Sequence, residues 1–564
     1  LISAGGGIFS RQDKTLPISK QVREWLGIDA EQLSPPELIR ELLKAPVDLL
    51  WNGGIGTYVK SSSESHADTG DLVNSPLRVN GADLRCKVVG EGGNLGCTQL
   101  GRIEFARKGG CINTDFIDNS AGVDCSDHEV NIKILLDQVM RAGKLKRPAR
   151  NKLLADMTDE VSDLVLRNNY LQTQAISMMV ELTGARLGAK QHFISVLEDE
   201  GLLNRSLEFL PDDEELTARR KRGEGLTRPE LSVLLSYSKI RLYQQLLNSD
   251  VPEDEYLASE LVRYFPIPLQ RRYAEAMQGH RLKREIIATQ VTNSLVNRMG
   301  ASFTLRMNED TGAPAADVAK AYTVIREVFE ARDFWSAVES LDNTVDAGLQ
   351  TRAALAMWNL LRQATRWLLS QSRTITDIEA EIKRLAPGIK VLARDMEKSL
   401  AAEDRAHLEA VMQPYLDSGF PKDLAKRIAT LPMLFPSLDV VETAAQRSTP
   451  PDRVSRIYFG LGEALEFKWL RAEVEALKVE GQWHAHARGN LRAELLAHHK
   501  ELVDRVLKKF GKAKDPVGDW MSAHDHEVAR VKDMLADMRN LPSMDYATLA
   551  VAVRSLGQLL ESTR

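Results

Sequence analysis

The texture of the chain changes once, near residue 124, and that change limits the possible folds more than any other feature. Before it, short apolar runs stop at glycine/asparagine turns. The run 47–51 ends in Asn52-Gly53-Gly54, the run 87–89 ends in Gly90-Glu91-Gly92-Gly93-Asn94, and the run 111–117 ends in Asp118-Asn119-Ser120-Ala121-Gly122. Short buried strands that each stop at such a turn are expected of a parallel sheet, whose ligands gather at the carboxyl edge. Beyond the change, strand signals fade and long amphipathic runs take over, at 226–247, 280–299, 318–331, 351–369 and 490–510. The expected fold is therefore a partial Rossmann-like α/β parallel-sheet domain over 1–123, then connecting helices over 124–190. A large all-α domain is expected over 191–564.

Local start signals support the helices. Ser34-Pro35-Pro36-Glu37 and Thr227-Arg228-Pro229-Glu230 each place a hydroxyl cap, a proline in the first turn and a glutamate that closes a capping box. The charge runs Asp212-Asp213-Glu214-Glu215 and Arg219-Arg220-Lys221-Arg222 read as solvated connectors.

With 43% apolar and 27% charged residues and a net charge of −5, the 564-residue chain has an ordinary globular composition. That balance gives no bulk attraction to nucleic acid or an anionic membrane, and no apolar run approaches the roughly 20 residues of a bilayer span. A cytoplasmic location is expected. The start, Leu1-Ile2-Ser3-Ala4-Gly5-Gly6-Gly7, has neither a basic opening nor the apolar core of a signal peptide, and it lacks an initiator Met. It reads as a domain cut from a longer chain. Cysteines at 86, 97, 111 and 125 are too widely spaced for zinc chemistry and are expected as reduced thiols. His484, His486, His498, His499, His524 and His526 match no familiar ligand spacing and are expected at the surface, with no metal.

The three turns carry most of the functional signal. Glycine lets backbone approach a ligand closely, and asparagine offers a donor and an acceptor together, which suits a carboxamide or a ribose hydroxyl. Each turn alone could be a plain strand end; three in succession point to a nucleotide edge. The phosphate-binding fingerprint G-x-G-x-x-G is absent: neither Gly5-Gly6-Gly7 nor Gly53-Gly54-Ile55-Gly56 has its spacing.

Gly90-Glu91-Gly92-Gly93-Asn94 resembles the Glu-Gly-Ala-Asn segment of glutamate dehydrogenases. Asn119-Ser120-Ala121-Gly122-Val123-Asp124-Cys125-Ser126 resembles their Asn-Ala-Gly-Gly-Val-x-x-Ser loop. Leu50-Trp51-Asn52-Gly53-Gly54-Ile55-Gly56-Thr57-Tyr58-Val59-Lys60, Gly225-Leu226-Thr227-Arg228-Pro229-Glu230-Leu231 and Arg284-Glu285-Ile286-Ile287-Ala288-Thr289-Gln290 are similar to the large NAD-specific branch of that family. The resemblance implies an NAD site, with Asn94 at the nicotinamide ribose, Gly92 and Gly93 permitting close approach, and Asn119 on the nicotinamide carboxamide. Asn52, Gly53 and Gly54 line the cleft in this reading, and Ser126 meets the side-chain carboxylate of glutamate. A helix N-cap at Ser126, boxed with Glu129, is the structural alternative.

Ser120-Ala121 departs from the family's Ala-Gly, and Asp127-His128 replaces an aromatic pair. No residue matches the family's catalytic lysine and aspartate. The implied reaction is NAD-dependent oxidative deamination of L-glutamate to 2-oxoglutarate and ammonium, with this chain supplying cofactor-site and helical parts of a homo-oligomer. A noncatalytic oligomerisation or regulatory module of the same enzyme is the alternative.

Overall fold

The computed structural model describes every residue except 1, 185, 372–374, 397–401, 479–481 and 564. Helix dominates, and the chain divides into two compact units, residues 1–320 and 321–564. The division falls inside the stretch 191–564, which is helical on both sides of it.

In the first unit, the strand Leu49–Asn52 pairs in parallel with Val88–Glu91, with Leu49 opposite Val88 and Asn52 opposite Glu91. Cys111 extends the ladder by a parallel bridge to Val88. A second parallel pair, Val59–Lys60 with Val79–Asn80, is bridged by Val59 to Cys97. Period-two alternation sets the faces. Leu50 packs on a core of Val59, Val79, Leu84, Cys86, Val89, Cys97, Phe105 and Ile112, whereas Leu49 and Trp51 are 54% and 61% exposed.

Two features differ from the expected sheet. The strands form three two-stranded pieces, one of them the antiparallel pair Leu16–Pro17 with Gln32–Leu33, not one continuous parallel sheet. The run 111–117 also breaks after its first residue, and Asp115–Asp118 is a helical turn. Asp115 explains the break: its carboxylate accepts from the backbone N–H of Phe116 at 2.9 Å and of Leu95 at 2.8 Å. Such bonds compete with ladder pairing.

Helices then take over. Ser120–Arg141 packs on Thr158–Glu181, and Arg228–Leu247 packs on Lys283–Met299. Both expected capping boxes are present, Ser34 with Glu37 and Thr227 with Glu230. The charge runs are not connectors but one helix, Asp213–Arg222, capped by Asp212 and ended by Gly223 in the left-handed region. Acids in its first turn and bases in its last complement the helix dipole. Arg219 from this helix is buried against Glu230 at 2.9 Å.

The second unit is all-helical among its described residues. Ala347–Leu369 packs on Lys422–Leu434, and Gln482–Phe510 packs between Pro451–Ala464 and Tyr546–Ser562. Among the described residues no single helix is long and apolar enough to cross a membrane. Only the bent pair Lys422–Leu434 and Ser437–Arg447 passes such a test together. Of the six histidines expected at the surface, His499 is fully buried, its ring 3.8 Å from that of Tyr458 and 4.2 Å from that of Phe467. Its Nε2 lies 2.8 Å from the Tyr458 carbonyl, which meets its polar need inside the core.

Candidate functional site

The strands Leu49–Asn52 and Val88–Glu91 end side by side, so their glycine turns meet at one carboxyl edge. The Gly92 N–H donates to the Asn52 carbonyl at 2.8 Å. Here the glycines leave little room for a side chain. A Cβ on Gly93 would lie 3.0 Å from the Gly54 carbonyl oxygen, and one on Gly92 would lie 2.3 Å from the Trp51 indole. Gly96, which the sequence reading did not single out, is tighter still: its Cβ would overlap the Asn52 carboxamide, 1.7 Å from Nδ2. Gly53 and Gly54 are exposed at the tip.

The third turn joins the same edge. Asn119 Nδ2 donates to Asn94 Oδ1 at 2.8 Å, which pairs the carboxamides of two separate loops. Asn119 precedes the helix Ser120–Arg141 and makes no side-chain cap bond to it. Thus Asn52, Gly53, Gly54, Gly92, Gly93, Asn94 and Asn119 fall on one edge.

Ser126 lies seven residues after Asn119 in this helix, on about the same face and roughly 10 Å further along the axis. It is exposed, and its hydroxyl donates to the Val123 carbonyl at 2.7 Å. The N-cap alternative fails because the helix begins six residues earlier, at Ser120; Glu129 instead pairs with Lys133 in the next turn.

Beneath the edge lies a charged network with no sequence signal of its own. Glu91 is wholly buried and accepts from Arg102 Nε at 2.6 Å and Nη2 at 2.9 Å, a bidentate pair. Its Oε1 also accepts from the Cys97 N–H at 3.0 Å. Arg102 reaches Asp115 at 3.2 Å, and Asp115 in turn holds the Leu95 N–H. Burial pushes the Glu91 carboxyl above its ordinary pKa, with Arg102 opposing. Asp118, also raised by burial, accepts from the Glu91 N–H at 3.1 Å and from Asn113 Nδ2 at 2.8 Å. Arg228 closes the network from the helical side, donating to Asn113 Oδ1 at 3.0 Å and to Ser177 Oγ at 3.1 Å. Tertiary contact alone reveals these roles. Glu91 was visible inside its glycine turn, but its partner Arg102 lies 11 residues away on another element.

On the inner side of the helix that carries Ser126, His128 is 2% exposed and stacks on Tyr264 with ring centroids 4.3 Å apart. Burial lowers its pKa, and Asp124 Oδ1, 3.7 Å from Nε2, opposes the shift.

A family described as glutamate dehydrogenase, C-terminal, matches residues 223–558. One described as bacterial NAD-glutamate dehydrogenase, catalytic domain, matches residues 1–179. The chain is 46% identical to an NAD-specific glutamate dehydrogenase of Pseudomonas aeruginosa and 45% identical to one of Halomonas elongata. Each alignment covers 100% of this chain and 35% of the relative. A Mycobacterium tuberculosis protein of the same name is 38% identical with the same coverage. The chain thus spans about a third of the length of the curated relatives it matches. Both family matches and the full-length alignments agree with the motifs at the strand edge: the chain belongs to the glutamate dehydrogenase family, in the company of its NAD-specific members.

Proposed function

We propose that this chain supplies the nicotinamide edge and the helical region of an NAD-dependent glutamate dehydrogenase, which converts L-glutamate, NAD and water to 2-oxoglutarate, ammonium and NADH. The observation that carries this reading is the 2.8 Å bond between Asn119 and Asn94. It brings two carboxamides, each able to donate and accept, to an edge where Gly93 and Gly54 leave only backbone.

Such an edge fits a dinucleotide. Asn94 would hold the nicotinamide ribose, Asn119 the nicotinamide carboxamide, and Asn52 with Gly53, Gly54, Gly92 and Gly93 the adjoining wall. Held there, NAD would supply the hydride acceptor for oxidation at the substrate α-carbon. The chain's own part is orientation: Asn119 fixes which face of the ring is presented, and Ser126 anchors the substrate's side-chain carboxylate. No residue here is assigned to proton transfer, and we read 1–123 as cofactor domain, 124–190 as connecting helices and 191–564 as a helical region for assembly. A homo-oligomer of the complete protein in analytical ultracentrifugation is the expected companion result.

In the complete protein that carries this chain, Asn119→Ala removes a hydrogen bond worth about 1–2 kcal/mol, so KM for NAD should rise roughly 5- to 30-fold. Near-wild-type NAD kinetics would end the assignment.

A further inference from the structure

Ser120 stands directly after Asn119, at a position where the resembled loop carries alanine. Its hydroxyl oxygen is surrounded by donors: Asn169 Nδ2 at 3.0 Å and Gln172 Nε2 at 3.3 Å, both from the helix Thr158–Glu181. Asn169 also donates to the Ile117 carbonyl at 2.7 Å. One helix therefore grips the turn on both sides of Asn119.

Gln172 faces away as well. Its Oε1 accepts from Lys239 Nζ at 3.1 Å, and Lys239 belongs to the helix Arg228–Leu247. The direction of this chain is fixed by chemistry. While protonated, Lys239 only donates, so it commits Gln172 to present its oxygen to Lys239 and its N–H to Ser120. With Lys239 replaced by an apolar side chain, Gln172 is free to turn over, and Ser120 loses a defined partner. The cation is costly where it sits, since burial brings the Lys239 pKa down to about 7, with Asp124 opposing. Asp124 is itself held by Asn168 Nδ2 at 2.8 Å.

We propose that Lys239, Gln172 and Ser120 form a positioning relay that holds the Asn119 turn in register for the nicotinamide carboxamide, with Lys239 as its far anchor. The relay rests on the functional reading above and adds to it three residues that never touch the cofactor. Alanine at position 120 can hold the turn by backbone alone; serine ties it to two further helices.

The test uses the complete protein with Ser120→Ala, Lys239→Met, Lys239→Arg and the double variant Ser120→Ala/Lys239→Met. KM for NAD and for glutamate is measured with the urea midpoint of each. Ser120→Ala and Lys239→Met should each raise KM for NAD about fivefold, the scale of one ordinary hydrogen bond, with KM for glutamate unmoved. The double variant should be no worse than the weaker single one, because members of one chain are not additive. Lys239→Arg, still donor-only, should restore KM toward wild type. Multiplicative effects in the double variant, a parallel rise in KM for glutamate, or no rescue by arginine would overturn the relay. Should Lys239→Met fail to fold, Ser120→Ala and Lys239→Arg still decide. A wild-type protein that uses no NAD overturns the functional reading and the relay with it. A wild type that uses NAD while both single variants match it overturns the relay alone.

Discussion

At the strand edge of the first unit, the interior beneath the turns belongs to ions: Glu91, Arg102 and Asp115 lie buried within 3.2 Å of one another along the chain of contacts. In the second unit the bulkiest buried side chains are aromatic, Trp520, Tyr458 and Phe467 among them, with His499 layered between two rings. A charged set is buried alongside them, Asp439 and Glu442 with Lys500. The two interiors solve different problems. Apolar packing is non-directional and tolerates repacking, so it stabilises a helical unit without fixing any one atom. Buried ion pairs add little net stability, but they are directional, and removing one member is severe. The edge therefore gains geometric definition from its charges: Glu91 holds the Cys97 N–H, Asp115 the Leu95 N–H, and Asp118 the Glu91 N–H.

The sharpest way to break this comparison is Arg102→Met. It strands the wholly buried Glu91 carboxylate and should cost about 3–5 kcal/mol, read as a lower urea midpoint. A cost under about 1 kcal/mol would mean that the charges are incidental. Phe467→Ala, in the second unit, should cost a comparable or slightly smaller amount, about 3–5 kcal/mol, by opening a cavity beside His499. It should leave KM for NAD untouched at temperatures where the protein is folded. A shift in KM would show that the second unit bears on the site after all. Gly93→Ala is milder in stability, about 1–3 kcal/mol from overpacking against the Gly54 carbonyl. It should nonetheless raise KM for NAD, since it alters the edge itself.

The last test concerns pH. The Lys239 pKa is about 7 in the folded protein, against about 10.4 for an unfolded lysine. Between those values the unfolded chain binds more protons, so this group makes stability rise with pH. Its destabilising effect is fully present below pH 7. Lys239→Met should flatten that rise in urea midpoints measured from pH 7 to 10, and an unchanged slope would show that Lys239 is solvated.

Much of this was legible beforehand because it is local. The capping boxes at Ser34 and Thr227 need only four residues each, and the glycine turns announce themselves by composition. The turns at 52–54 and 92–94 were readable as one edge because neighbouring parallel strands present their carboxyl ends on the same side of a sheet. Asn119 instead reaches that edge from a helical turn. The misreadings share a cause in tertiary competition. The run 111–117 has strand composition, yet Asp115 spends its carboxylate on backbone N–H groups and turns the chain. The acidic and basic runs at 212–222 are mostly solvated as read, but they form a helix and not connectors, with Arg219 turned inward against Glu230. Ser126 resembled a cap, whereas the helix had already begun at Ser120. His499 carried no sign of burial, because nothing in its neighbours names Tyr458 and Phe467 as its partners. The Ser120 departure looked small as a change of one atom; its weight lies in Asn169 and Gln172, about fifty residues away.

The bond between Asn119 and Asn94 uses one N–H of the first and one lone pair of the second, so each carboxamide keeps capacity of the opposite kind for a ligand: Asn119 its oxygen, Asn94 its N–H groups. An incoming group that only accepts, such as a carboxylate, would serve the Asn94 donors and leave the Asn119 oxygen unmet. A group that both donates and accepts would meet both. The primary amide of nicotinamide is such a group and the corresponding acid is not, so discrimination between them would come from what each leaves unpaired as much as from what it gains.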